Sequence, residues 1–168
     1  ALMSRGLGDV YKRQLYRQSE IFSRSGIDIA RSTLCDWVGA CALIVIPIIS
    51  VMKKSVMASP KIHTDDTTVP VLEPGLGKTK TGRLWIYLGG GKGSPPCAIY
   101  DYTQTRQQAG PMEFLKGYRG YLQADAYSGY DILYTESQQD YAIIEVACMA
   151  HVRRKFYDVA KNLSLIHI

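Results

Sequence analysis

The sequence predicts a mixed α/β domain with a short helical segment ahead of it. Three observations carry that prediction. The apolar period changes from helical to extended at Pro60. Three β-rich runs then follow one another across links that carry glycine and proline. After them helical and extended runs alternate, giving the order βββαβαβα, which indicates a mixed sheet with helices packed on it. At 168 residues, 46% hydrophobic and 21% charged, the chain is long enough for one domain with a small appendage and can bury a core without disulfides or metal. The composition excludes a disordered chain, a collagen-like repeat and a disulfide scaffold.

The first fourteen residues, ALMSRGLGDVYKRQ, show neither period. Residues 1–14, and SLIHI at 164–168, are expected to be non-native tails that take no part in the fold. Residues 15–58 read as helical. Leu15, Ile21 and Phe22 mark a first helix, Gly26 offers a stop, and Leu34, Trp37 and Val38 repeat at i, i+3, i+4 on a second. This is a helix-turn-helix-like outline. Arg31, Ser32 and Thr33 fall on the first turn of the second helix, from which such helices address a DNA groove, with Arg17 and Arg24 placed near the backbone. A plain helical hairpin is the alternative.

From Trp37 to Met52 sixteen residues carry no charge. As a helix they reach roughly 24 Å at about 1.5 Å per residue, against a bilayer core about 30 Å thick. Pro47 removes a donor in the middle and no second span follows. We expect a buried or partner-covered helix kinked at Pro47, and no membrane partner.

Beyond Pro60, KIHTDD, RLWIYLG and PCAIYDY read as strands, joined by EPGLGKTKTG and GGKGSPP as flexible hairpin loops. QQAGPMEFLKGY reads as a short helix, GYLQADAY as a strand, YDILYT as a helical turn, YAIIEVACM as a strand and AHVRRKFYDVAKN as an amphipathic helix. Trp85, Tyr87, Tyr100 and Tyr102 lie on the hairpin strands, one side of which is expected to be core rather than a stacking platform. Cys35, Cys41, Cys97 and Cys148 are far apart, which fits small buried apolar residues in a reducing cytoplasm.

Several tempting motifs fail. GLGKT lacks the earlier glycine of a phosphate loop, since that position is Leu72, and the glycines from Gly89 to Gly93 lead into a strand instead of a helix. Cys148 and His151 have the spacing of half a zinc site, with no second pair to complete it. His63, two residues before Asp65, is by default a neutral structural histidine, with contact to a substrate phosphate as the alternative. The charge of +5 is concentrated in residues 1–60, which hold eight basic and four acidic side chains. That favours a polyanionic partner only mildly.

Two acids carry the chemistry. Asp65 sits where the first strand loses its apolar character. Asp125 ends the strand GYLQAD, sharing a side with Tyr121 and Gln123. Acids at strand positions are costly unless paired or bound to metal. In a βββαβ order the first and fourth strands become parallel neighbours, which brings Asp65 and Asp125 close together across sixty residues of chain. Like charges at that distance repel, and a hard divalent cation is the usual remedy.

LYRQSEIF, RSTLCDWVG, PKIHTDDTTVPVL, GKTKTGRLWIYL, YLQADAYSGYD and ACMAHVRRKF, in that order, resemble the central region of insertion-sequence-66 family transposases, from about Leu15 to Asn162. The resemblance implies an RNase H-like catalytic core of the DDE type, partial here, over residues 60–163. It implies cutting and joining of double-stranded DNA, at transposon ends and target, with two Mg²⁺ or Mn²⁺ ions. The family's first acid falls on Asp65, with Asp66 as the accompanying acid and Thr67 after it, and its second falls on Asp125. Both would be metal ligands, not a general acid and base. Arg153, Arg154 and Lys155, preceded by His151, would contact phosphates. A homo-oligomer on DNA and a bacterial, nucleoid-associated cytoplasmic location follow from the same resemblance. The pattern departs from the family in three ways. The third acid, a downstream glutamate on a helix, has no counterpart, so the chain alone is expected to be inactive. The upstream cysteine-rich segment is missing, and the stretch after WVG is less polar. A non-catalytic DNA-binding remnant is the alternative reading.

Overall fold

The computed structural model describes residues 14–72, 75, 77–91, 93–135 and 142–166, without the side chains of Ser94 and 162–166. The chain divides into two compact units, Ala1–Ile49 and Ser50–Ile168.

In the first unit, helix α1 spans Leu15–Arg24. Gly26 ends it at φ 78°. The N–H of Ile27 donates to the carbonyl of Phe22 and that of Gly26 to Ser23, the paired bonds of a Schellman stop, in which only glycine sits without strain. Glu20 draws in both arginines of the helix, Arg17 at 2.6 Å and Arg24 at 3.9 Å. The Ser19 hydroxyl donates to the Ile29 carbonyl and fixes the returning chain at 2.6 Å.

Helix α2, Arg31–Met57, begins in the first unit and ends in the second, and it is one helix through Pro47. The sequence led us to expect a buried or partner-covered helix, and within this chain its central apolar residues are not buried. Leu43, Ile44, Val45, Ile46, Ile48 and Ile49 are exposed, Ile44 at 74%. The helix is apolar around its whole circumference here, so no polar face exists to be turned outward while an apolar one is covered. By length and composition it is sufficient to cross a membrane. Cys35 and Cys41 are exposed on it, and Cys97 and Cys148 are only half-buried, so the cysteines are not the buried apolar fillers expected. All four are free thiols.

The second unit is built on a five-stranded sheet: β1 Lys61–Leu72, β2 Thr79–Gly91, β3 Ser94–Thr103, β4 Arg119–Ala124 and β5 Ala142–Ala147. The strand order is β3-β2-β1-β4-β5. β1, β2 and β3 form an antiparallel meander, and β4 and β5 add in parallel to β1. Helix α3 (Ala109–Phe114) precedes β4, a 3-10 turn (Ser128–Tyr130) and helix α4 (Asp131–Tyr134) precede β5, and helix α5 (Met149–Ile166) follows it. This reproduces the expected element order and the parallel pairing of first and fourth strands.

Boundaries differ from expectation in four places. β2 begins at Thr79, inside the expected loop EPGLGKTKTG, and helix α5 runs to Ile166, into the SLIHI stretch expected to take no part in the fold. β1 continues past Asp66 and, with Pro70 inside it, stays paired with β2 to Leu72. Because β1 pairs with β4 only from Lys61 to His63, its far half has a strand on one side alone, where proline is tolerated. The stretch from Gly90 to Pro96, expected as a loop, is mostly strand, with a register irregularity between Gly89 and Gly91 and Gly90 at φ 140°. Glycine there serves a bulge that keeps β2 and β3 paired to their ends.

One face of the sheet carries the core. Ile62, Trp85, Tyr87, Leu122 and Ile143 meet Phe114, Leu115, Tyr118, Tyr130 and Leu133, and Val56 from the end of α2 joins them. The Tyr87 and Phe114 rings stack with centroids 3.6 Å apart. Ser59 ties the end of α2 to β2 by accepting the Gly90 N–H at 2.7 Å. Trp85 and Tyr87 are therefore core, as anticipated, while Tyr100 and Tyr102 are exposed.

Candidate metal centre

Parallel pairing of β1 and β4 stops at His63, and Ala124 is the last residue of β4 and of its pairing with β5. Asp65 and Asp125 sit just beyond the β1–β4 contact, where the two strands part. Such a fork offers side chains from both strands to one point without a ladder of backbone bonds between them. The carboxylates of Asp65, Asp66 and Asp125 each place an oxygen within 4.8 Å of the others. The sequence-based pairing of Asp65 with Asp125, and the association of Asp66 with them, thus corresponds to one cluster.

The three acids have different surroundings. Asp65 is exposed, and its Oδ1 accepts the N–H of Asp66 at 2.9 Å. Asp66 follows Ile62 and Thr64 on the core side of β1, and its side chain is 1% exposed. A buried carboxylate needs paired charge. Arg83 Nη1 donates to Asp66 Oδ2 at 2.8 Å. Arg106 forks onto the same group, with Nη2 to Oδ1 at 2.8 Å and Nε to Oδ1 and Oδ2 at 3.0 and 3.1 Å. Asp125 is half-buried; its Oδ1 accepts the Tyr127 N–H at 3.2 Å and its Oδ2 lies 3.4 Å from Arg106 Nη2. The Arg106 guanidinium lies 4.0 Å over the Tyr127 ring, and the Tyr127 hydroxyl donates to the Arg106 carbonyl. Its hydrogen bond to Asp66 raises the Arg106 pKa above its ordinary value, so it is a permanent cation.

Aromatic rings support the acids. Trp85 contacts Tyr127 and Tyr130 at centroid distances of 6.3 and 6.1 Å, and its Nε1–H donates to Thr103 Oγ1 at 2.7 Å. Burial holds the Tyr130 hydroxyl in its neutral form, with its pKa pushed above the ordinary range.

A cavity of about 550 Å³ opens beside Asp125. Its walls include Arg106, Glu145, His151, Arg154 and Lys155. Of the residues expected to meet phosphate, the structure brings His151, Arg154 and Lys155 to the cavity that Asp125 lines. Arg153 is exposed and is not part of that wall. The Cys148 thiol, also in the wall, has its pKa lowered by the backbone N–H of His151 and then by its imidazole. Arg31 and Ser32 are exposed and Thr33 half-buried at the start of α2 in the first unit. His63 is half-buried, and burial followed by the charge of Lys61 lowers its pKa, which favours its neutral form.

Arg83, Arg106 and Tyr127 escaped the sequence reading. Arg83 opens the strand RLWIYLG and faces Thr68 across the ladder, a position that alternation alone could have assigned to a face. Arg106 lies in the connection between β3 and α3, where no periodicity exists to read.

The donor set suits a hard divalent cation, which takes carboxylate oxygens. Asp65 and Asp125 could hold it. Asp66 could not do so without giving up guanidinium donors on both of its oxygens.

The sequence profile described as "Transposase IS66 family" matches residues 10–167. The uncharacterized protein y4hP of Sinorhizobium fredii (strain NBRC 101917 / NGR234) is 37% identical over 150 residues, which cover 87% of this chain and 27% of that protein. The uncharacterized protein y4qI of the same organism is 34% identical over 152 residues, covering 86% of this chain and 28% of that protein. The chain therefore spans under a third of the length of these curated relatives. A family match across nearly all of its residues, running through both acid-bearing strands, makes this chain a member of the IS66 transposase family.

Proposed function

We propose that this chain is part of a DDE-type DNA transposase with an RNase H-like core, in which Asp65 and Asp125 hold divalent metal ions for phosphoryl transfer. The observation that carries this reading is the meeting of Asp65, Asp66 and Asp125 at the fork of β1 and β4 in a chain of this family. Bound Mg²⁺ or Mn²⁺ would activate an attacking oxygen and stabilise the leaving one in an in-line displacement at phosphorus. The chain's own residues do the rest. Asp65 and Asp125 supply ligand oxygens from two adjacent strands. Asp66, neutralised by Arg83 and Arg106, fixes the local backbone and the guanidinium beside Asp125. His151, Arg154 and Lys155 receive DNA phosphates in the cavity next to Asp125. Arg31, Ser32 and Thr33, with Arg153, add phosphate or groove contacts elsewhere, and the working form is an oligomer on DNA in the bacterial cytoplasm, without a membrane partner.

The family's third acid is expected outside these residues, so the purified chain should bind DNA ends but not join them. In a strand-joining assay with Mg²⁺ and transposon-end DNA we expect salt-sensitive binding and no joined product. Joining that disappears in Asp125→Ala would contradict the inactivity of the chain and support its metal site. End binding that is indifferent both to Mg²⁺ and to Asp65→Ala would point instead to a DNA-binding protein without catalysis.

A further inference from the structure

We propose that Arg106 is a built-in substitute for the metal ion: in the metal-free protein its guanidinium bridges Asp66 and Asp125, and a divalent cation arriving at Asp125 displaces it from that carboxylate alone. The inference rests on the reading of Asp65 and Asp125 as metal ligands and concerns how that site is kept before it is filled.

The contacts of Arg106 are unequal. Toward Asp66 it makes a forked set between 2.8 and 3.1 Å on a carboxylate that is 1% exposed and is also held by Arg83. Toward Asp125 it makes one contact of 3.4 Å, on a side chain that is 22% exposed. The first arrangement is bidentate and dry, the second single and reached by water, so the second is the one that a competing cation breaks. Stacking of the guanidinium on Tyr127, and the bond from the Tyr127 hydroxyl to the Arg106 carbonyl, hold Arg106 in place whichever partner Asp125 has. Tyr127 also donates its N–H to Asp125 Oδ1, leaving Oδ2 as the oxygen that Arg106 and a metal ion would contest.

Charge sets the direction of the effect. Three carboxylates against two guanidiniums leave the cluster one negative charge, enough to attract a divalent ion but less than the acids alone would offer. Without a cation the carboxylates, with oxygens within 4.8 Å of one another, would repel. Arg106 relieves that repulsion, and in doing so it opposes metal binding. Removing it should therefore tighten metal binding and destabilise the empty site, whereas removing a ligand or a merely structural residue should not tighten binding.

Mn²⁺ titration calorimetry on the wild-type chain, Arg106→Gln and Asp125→Asn, all checked for folding by circular dichroism, separates these cases. We expect Arg106→Gln to bind Mn²⁺ about three- to tenfold more tightly than wild type and Asp125→Asn to bind it more weakly. In chelator, Arg106→Gln should melt below wild type, and added Mn²⁺ should narrow the gap. Weaker or unchanged binding in Arg106→Gln, alongside weaker binding in Asp125→Asn, overturns the substitute-cation role and leaves the metal site standing. Wild-type affinity in Asp125→Asn, or no Mn²⁺ binding by the wild type, overturns both. Should Arg106→Gln fail to fold, a Mg²⁺ titration of the ¹⁵N-labelled wild type decides. The Arg106 side-chain resonance should move with Mg²⁺ occupancy, and a resonance unchanged through saturation overturns the proposal.

Discussion

Asp66 and Tyr118 show how single side chains in this fold are committed by burial. Asp66 is affordable on the core side of β1 only because Arg83 and Arg106 surround it, and that commitment removes it from the ligand set of the neighbouring acids. Tyr118 is fully buried, with its hydroxyl 3.0 Å from the Ser59 carbonyl and 3.1 Å from that of Tyr121. Burial pushes its pKa up to about 12, and it pushes those of Tyr87, Tyr130 and Tyr134 higher still. An unfolded tyrosine ionises near pH 10. The folded state resists that ionisation, so the stability linked to these groups is complete below about pH 10 and is lost as pH rises through the folded values. Melting temperature should stay level to about pH 10 and then fall. Tyr118→Phe should have a shallower fall between pH 10 and 12, at the cost of about 1–2 kcal/mol at neutral pH from the loss of the one hydroxyl proton that the two carbonyls share. A melting temperature that is flat from pH 9 to 12 would contradict this assignment.

At the scale of elements, the fork between β1 and β4 depends on close packing at the start of β4. Gly120 has φ 153°, and a Cβ there would lie 2.6 Å from the Tyr118 hydroxyl oxygen and 2.8 Å from the Pro60 carbonyl oxygen. That same Pro60 carbonyl accepts the Tyr121 N–H at 3.0 Å, beginning the contact between the strands. Gly120→Ala should destabilise the fold by about 1–3 kcal/mol, seen as a lower urea midpoint at unchanged slope; an unaltered midpoint would show that the strands can part there freely. Much of this arrangement was legible in the sequence. The βββαβ order, which makes the first and fourth strands parallel neighbours, was enough to bring Asp65 to Asp125. The extent of β2 and β3 was not, because Gly89–Gly91 and Pro95–Pro96 carry loop signals that the cross-strand register overrides. Arg106 could not be read either. It comes from a connection without period, and its role exists only once three separate segments meet.

The whole chain consists of two units whose sequence signals differ in kind. In the second, period-two patterning and aromatic residues specify a sheet with one buried face, and the core that results holds the acids at its edge. In the first, the run from Leu43 to Ile49 supplied hydrophobicity without periodicity. Such a run signals a helix but does not say what covers it, and the structure has these side chains exposed. The excess of basic residues before Pro60 was a weaker indication of nucleic acid than two aspartates on neighbouring strands. The claim on which the rest depends is that these aspartates form a divalent metal centre. Calorimetric Mn²⁺ binding to the wild-type chain and to Asp125→Asn tests it most directly. The account predicts saturable binding that the substitution weakens by at least about tenfold, equivalent to about 1.4 kcal/mol. Equal affinities in the two proteins, both folded, would contradict it.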